Sequence, residues 1–420
     1  MTNPQALIDD AYTLWLKHAP LLYDFCTTHV LEWPSAAVAF LSDSRREIPG
    51  RDYSVQQVAV GTTSPQVNYV NVYHCFLPCA IDEMEDMDEE DLEAFYGYSG
   101  KFTDVAPLMQ RYCRVVHDGP VSKILPMPQK PQVLATRGVK PYIYLYDIGK
   151  RRTEPEDTSV RTDIRLKGHR DEGKALDWCK CSEGYIASGA NDHQVNIYDI
   201  RGPIELIGTR QSVDMAPVLE LKGHTDAVRG VSWHSTHDAV LASVGADKKL
   251  NVWDIRSDGP QDTLEIHRSP INDISFHPHA AFLFATCAAD KSVRCWDMRK
   301  TRKPLTEFVG HMDEVMGLEW APFNDTVMLT YSKDRTVICW DLGKAQATPV
   351  AGQDDLAKPA QVFKHCGHTA QVRAATWCPA QEDEWSVASV DDNNVLQLWA
   401  PYEGVYNDQA DKEVYNTDVV

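Results

Sequence analysis

Residues Gly223–Asp254 read GHTDAVRGVSWHSTHDAVLASVGADKKLNVWD, and the fold turns on how this stretch is parsed. Val228, Val231 and Trp233 fall in one run, Val240 to Val244 form a second and Leu250 to Trp253 a third, with Asp, Lys and Gly turns between them. That pattern predicts short strands folded into a small antiparallel sheet. Four residues punctuate it: His224, Ser243 after 19 residues, Asp247 four later and Trp253 six beyond that.

The same spacing recurs along the chain. Gly-His pairs stand at Gly168-His169, Gly223-His224, Gly310-His311 and Gly367-His368, and Val116-His117 and Ile266-His267 keep the phase. His117 to Thr136, His169 to Ser188, His267 to Thr286 and His311 to Thr330 each span 19 residues, whereas His368 to Ser389 spans 21. The next position holds Asp192, Asp247, Asp290 and Asp334, but Lys140 and Asn393 in the remaining units. The aromatic position holds Tyr146, Tyr198, Trp253, Trp296, Trp340 and Trp399. Fixed internal spacings joined by variable linkers mark a repeat architecture.

These aligned residues resemble the WD-repeat signature. The resemblance implies an all-β fold, a seven-bladed WD-repeat β-propeller with one four-stranded blade per unit. Six units are explicit, and a seventh blade is expected from strands around Ala36 to Phe40, Tyr53 to Val60 and Tyr69 to Phe76. A recurring His, Ser and Asp is no catalytic triad, because one active site needs one triad. Repetition points instead to a tetrad such as His224, Ser243, Asp247 and Trp253, a hydrogen-bonded chain that pins the strands of each blade. The blades of Thr136 and Ser389 are expected to lack its charged member.

No catalytic residue, metal site or cofactor emerges outside the repeat. GYSGK at 97–101 fails as a phosphate loop, since Phe95 and Phe102 replace its first glycine and its Ser/Thr. His234 and His237 read as a solvated pair in a turn. Of the 420 residues, 43% are hydrophobic and 24% charged, as in a globular protein, and 41 basic against 61 acidic side chains give a net charge of −20. Direct contact with nucleic acid or anionic membrane is disfavoured, and basic protein partners are favoured. The start, MTNPQALIDD, lacks the basic and apolar regions of a signal peptide, so an intracellular, soluble chain is expected. The 11 cysteines are expected to be reduced and mostly buried.

Ahead of the first blade, Leu7, Ile8, Ala11, Tyr12, Trp15 and His18 recur at helical spacing, with Asp9, Asp10 and Lys17 elsewhere on the wheel. This predicts an amphipathic helix packed on the side of the propeller and ended or bent at Pro20. The division expected is helix and lead-in at 1–33, propeller at 34–400 with an acidic loop at 82–93 and an inserted loop at 345–362, and a tail at 401–420. Y-x-x-W-x-x-x-x-P-x-L-Y-D from Tyr12 to Asp24, T-H-x-L-E-W-P-S from Thr28 to Ser35, the repeat phasing and Tyr406-Asn407-Asp408 resemble the retinoblastoma-binding, MSI-like family of histone-binding WD-repeat proteins.

That resemblance implies a nuclear, non-enzymatic scaffold for core histones of the central tetramer, within chromatin-assembly, deacetylase, acetyltransferase or methyltransferase complexes. It implies two sites. In the first, a basic histone helix docks between the N-terminal helix and the late loop, with Leu21 and Leu22 as wall, Phe363 as opposing anchor, and Asp354 and Asp355 meeting its cations. Lys364 departs there from the family's apolar preference, and the alternative role of the helix is to cap a blade edge. In the second, the narrow channel end, Glu172, Asn272, Glu314 and Asp392 match acceptors for an Arg-Lys peptide. Pro120 and Arg229 stand where that family has glutamates, and Lys174 and Met316 where it has aromatics. The acidic segment 82–93 reads either as a shield for basic histone surface or as a solvated insertion. An alternative function is substrate receptor of a cullin-RING ubiquitin ligase, since Trp253-Asp254-Ile255-Arg256 and Trp296-Asp297-Met298-Arg299 resemble the adaptor-docking W-D-x-R motif through Arg256 and Arg299; scaffolding of non-histone peptides is another.

Overall fold

The computed structural model describes residues 4–42, 44–47, 53–78, 109–207, 212–257, 259–345 and 360–406. Asp354, Asp355 and the acidic segment 82–93 lie outside the described residues.

Seven antiparallel sheets form around a central channel. Their innermost strands are Val38–Phe40, Val121–Met127, Leu176–Trp178, Val228–Trp233, Ile271–Phe276, Val315–Trp320 and Val372–Trp377. Each touches the next, and Val38–Phe40 touches both Val121–Met127 and Val372–Trp377, so the ring closes. Residues Val38–Phe40, Tyr53–Gly61, Asn68–Pro78 and Met109–His117 make the first blade, the one that carries no repeat signature. The second blade gains a fifth strand, Val213–Met215, which runs parallel to Ile164–Leu166 and comes from a segment between strands of the third.

Apolar faces of adjacent sheets supply the core, as the alternation within strands requires. Trp178, Trp320 and Trp377 end inner strands and donate their indole N–H to the preceding blade, at the carbonyls of Leu125 (3.1 Å), Ser275 (3.2 Å) and Glu319 (3.4 Å). Backbone amides return the contact: the Trp233 N–H donates to Asp177 (2.7 Å) and that of Phe276 to the Ser232 hydroxyl (3.1 Å). Several adjacent blades are thus joined by indole or amide bonds to acceptors of the preceding blade, although the Trp233 indole N–H has no partner among the described residues.

The last blade corrects the expected boundary. Tyr23–Val30 is not lead-in but its outermost strand, antiparallel to Val395–Pro401, so the two ends of the chain are sewn into one sheet. The helix before it, α1 (Pro4–Leu22), runs through Pro20 to its last turn. Pro20 removes the amide donor that would reach the Leu16 carbonyl, but only two residues of helix follow it, so the loss is confined to the last turn. Its packed face is Tyr12, Trp15, Ala19 and Leu22 at 3,4-spacing, whereas Ala11 is exposed.

The cysteines among the described residues are all unpaired, and seven of the ten are buried. His234 is a correction: it is buried, not solvated, and its Nδ1 accepts the backbone N–H groups of Thr236 (3.1 Å) and His237 (3.2 Å), so it holds a turn together.

Candidate functional site

Five blades carry a complete tetrad or its Tyr version. In the fourth, Trp253 Nε1 donates to Ser243 Oγ (2.8 Å), Ser243 Oγ lies 2.7 Å from His224 Nε2, and His224 Nδ1 lies 2.9 Å from Asp247. The same chain runs through His267, Thr286, Asp290 and Trp296 and through His311, Thr330, Asp334 and Trp340. In the third blade His169 joins Ser188 (2.7 Å) to Asp192 (3.1 Å). Burial pulls the Asp192 carboxyl up, but the His169 bond and two backbone N–H groups outweigh it and hold it down at about 2.

The last blade departs from expectation. His368 Nδ1 meets Asp391 at 3.1 Å while Asn393 donates to Thr369, so the charged member is present two residues before the expected place. From His to Asp the separation is 23 residues in all five tetrads, although His368 to Ser389 is 21. The turn itself follows the other phase. Its left-handed residue is Asn394, next to Asn393, just as His193, Lys248, Lys291 and Arg335 follow their aspartates. In the second blade no such chain forms: His117 Nδ1 bonds the Gly119 carbonyl (2.8 Å) and the Tyr146 hydroxyl is buried without a partner.

At the junction of α1 with the last blade lies a second polar chain, which the sequence reading missed. Trp15 Nε1 donates to the Tyr23 hydroxyl (3.0 Å), which meets His365 Nδ1 (2.8 Å); His365 Nε2 meets Gln397 Oε1 (2.7 Å). The proton directions agree only if His365 is neutral with its hydrogen on Nε2. Burial, and His368 nearby, push its pKa well below the ordinary histidine value. His365 also stacks on Trp399 at 4.4 Å. A side chain on Gly367 would come within 2.7 Å of the Trp15 ring, so that glycine admits the helix.

On this junction Leu21 is 57% exposed and Leu14, seven residues earlier on the same face, is 58% exposed. Leu22 is half-buried and packs inward. Phe363 faces the blade interior, because Phe363 and His365 alternate inward along Gln361–His365 while Val362 and Lys364 look outward. Its ring is 6% exposed and lies edge-on to Tyr23 (5.1 Å), which makes it floor rather than projecting anchor.

Of the four residues expected at the channel end, Asn272 and Glu314 are in contact, and Asn272, Glu314 and Asp392 are each engaged by cations of the chain itself. Asn272 Oδ1 accepts from Arg229 (2.5 Å) and its amide donates to Glu314 (2.9 Å); Lys333 also pairs with Glu314. Arg373 grips Asp392 with two bonds, at 2.6 and 2.9 Å. Glu172 is exposed, with no ion pair among the described residues. Arg256 and Arg299 fold back in two-bond pairs on Asp254 and Asp297 of their own motifs, and Arg201 does the same on Asp199.

Seven sheets, five of them pinned by such tetrads, define a WD-repeat β-propeller, and residues 215–254, 259–297 and 302–341 match the WD domain, G-beta repeat. The WD40 β-propeller domain of Doa1 shares the fold, with a TM-score of 0.62 at 14% identity over 91% of this chain and 98% of that one. Residues 10–79, which span α1, the closing strand and the start of the first blade, match the family described as histone-binding protein RBBP4 or a subunit of the CAF1 complex. Together the two matches support a WD-repeat protein similar to the RBBP4/MSI-like histone-binding type.

Proposed function

We propose that this chain is a nuclear, non-enzymatic scaffold that binds a histone helix along α1 and lends that grip to chromatin-assembly or chromatin-modifying complexes. The observation that carries the reading is the exposed Leu14 and Leu21 ridge on a helix pinned to the last blade, within the segment that matches the histone-binding family. A guest helix would lay its apolar face on that ridge over the Leu22 and Phe363 floor, and Asp354 and Asp355 would receive its basic side chains. The net charge of −20 favours a basic partner and makes association sensitive to salt.

The channel end is the weaker site for a basic tail. A guest arginine there would have to displace Arg229, Lys333 or Arg373 from Glu314 and Asp392.

Titration of the full chain with a labelled peptide of the first helix of the fourth core histone tests the reading, with the tail of the third as comparison. Leu21→Glu, and separately Asp354→Lys with Asp355→Lys, are expected to weaken the helix peptide at least about tenfold while melting like the parent. Unchanged affinity in both variants, or no binding by the parent, overturns the assignment.

A further inference from the structure

Below its narrow end the central channel opens into a cavity of about 360 Å³, a volume suited to a small ligand. Lys123, Lys174 and Lys180 line it, together with Asp177, Asp273 and Glu319. Arg229 also reaches it but is held by Asn272 and Glu314. The two signs are not equally free. Asp177 accepts the backbone N–H of Trp233, Glu319 that of Trp377 with the Thr376 hydroxyl, and Asp273 that of Ile274. These carboxylates serve the contacts between blades.

The ammoniums of Lys123 and Lys174 have no hydrogen-bond or ion-pair partner among the described residues. Lys174 has only the Tyr331 ring, 5.7 Å away. Both side chains line the channel cavity and are half-buried. Asp273 is an electrostatic neighbour of both lysines, and Asp177 and Glu319 of Lys123, but none comes within ion-pair distance of either ammonium, so their N–H donors stay free for an anion between them. Burial and the neighbouring Lys123 lower the Lys174 pKa to about 8, and burial raises Glu319 to about 7 and lifts Asp177 and Asp273.

We infer that the channel cavity binds a small free oxyanion of the phosphate class, held between the Lys123 and Lys174 ammoniums against the Tyr331 ring. Phosphate oxygens accept several charge-assisted bonds at once, which suits two ammoniums lining one cavity better than a single carboxylate would. The negative charge of the whole chain does not forbid this, because at physiological salt fields are screened within about 8 Å and the local charges decide. The site is separate from α1, so this inference stands or falls apart from the histone reading.

Equilibrium dialysis of the full chain with labelled pyrophosphate, at fixed ionic strength and with chelator present, tests it. Saturable uptake of one anion per chain, competed by inorganic phosphate, is expected. Lys123→Gln and Lys174→Gln should each weaken it about tenfold, the loss of one charge-assisted contact, with histone-helix affinity unchanged. Absence of saturable uptake by the parent overturns the inference without reference to any variant. Equal uptake by a folded Lys123→Gln chain does so too, since the anion would then sit elsewhere. If Lys174→Gln fails to fold, the Lys123→Gln comparison still decides.

Discussion

Ser243 stands between two donors and acceptors that have nowhere else to go. Its oxygen takes the Trp253 indole proton and its hydroxyl serves His224 Nε2, in a site from which solvent is excluded. Ser243→Ala leaves both partners unpaired and is expected to destabilise the protein by about 3 kcal/mol, read as a lower denaturation midpoint with unchanged slope. The last blade gives a sharper test. Asp391→Ala should cost about 2 kcal/mol, while Asn393→Ala, whose side chain bonds only the exposed Thr369, should stay within about 0.5 kcal/mol. The reverse order would show that Asn393, not Asp391, supports the His368 chain. Counting four residues beyond Ser389 led to Asn393 because the turn keeps that phase, as Asn394 shows. What the fold conserves is the reach from His368 to its carboxylate, and two extra residues before Ser389 shift the hydroxyl without shifting the acid.

At the scale of elements, α1 is held by polar bonds as much as by burial. Tyr23→Phe keeps the ring but removes the hydroxyl that joins Trp15 to His365, so faster hydrogen exchange along α1 is expected while the blades remain protected. Acid should act on the same chain. His365 has a folded pKa well below its unfolded value, so below about 6.5 the unfolded chain binds a proton that the folded chain refuses. The stability from this group is therefore full above that pH and is lost progressively as pH falls. Loosening of α1 between pH 6.5 and 5, followed by exchange, checks the sign, and Tyr23→Phe should flatten the dependence. The helix itself was legible, because Tyr12 and Trp15 fall at its spacing. Ala11 was misplaced since the true face drifts along 8, 12, 15, 19 and 22. Phe363 is expected as the opposing anchor from the family resemblance, which says nothing of its register in the strand. Pairing with Cys339 on the adjacent strand is what turns it inward.

For the whole molecule, six blades can be counted from spacing and a seventh from strand pattern, but the closure of the ring cannot. Tyr23–Val30 alternates buried and exposed like any strand, yet its partner lies at the far end of the chain, and Thr27 bonds the Leu398 carbonyl across 371 positions. A local pattern specifies a strand and leaves its partner open. Two truncations separate the roles that this joint combines. Removing residues 1–22 takes away α1 but leaves the closing strand, so the propeller is expected to melt cooperatively, somewhat earlier than the parent, with binding of the histone helix lost. Removing residues 1–30 also exposes the backbone of Val395–Pro401 along its length and opens the ring between the last blade and the first. An unpaired apolar edge of that kind recruits other chains, so aggregation and loss of the cooperative transition are expected. Calorimetry with light scattering on the two truncations decides between them. If both melt alike and remain monomeric, the strand is an ornament on a ring closed by its inner strands alone. If only the longer truncation fails, the closing strand is what makes one domain of seven sheets.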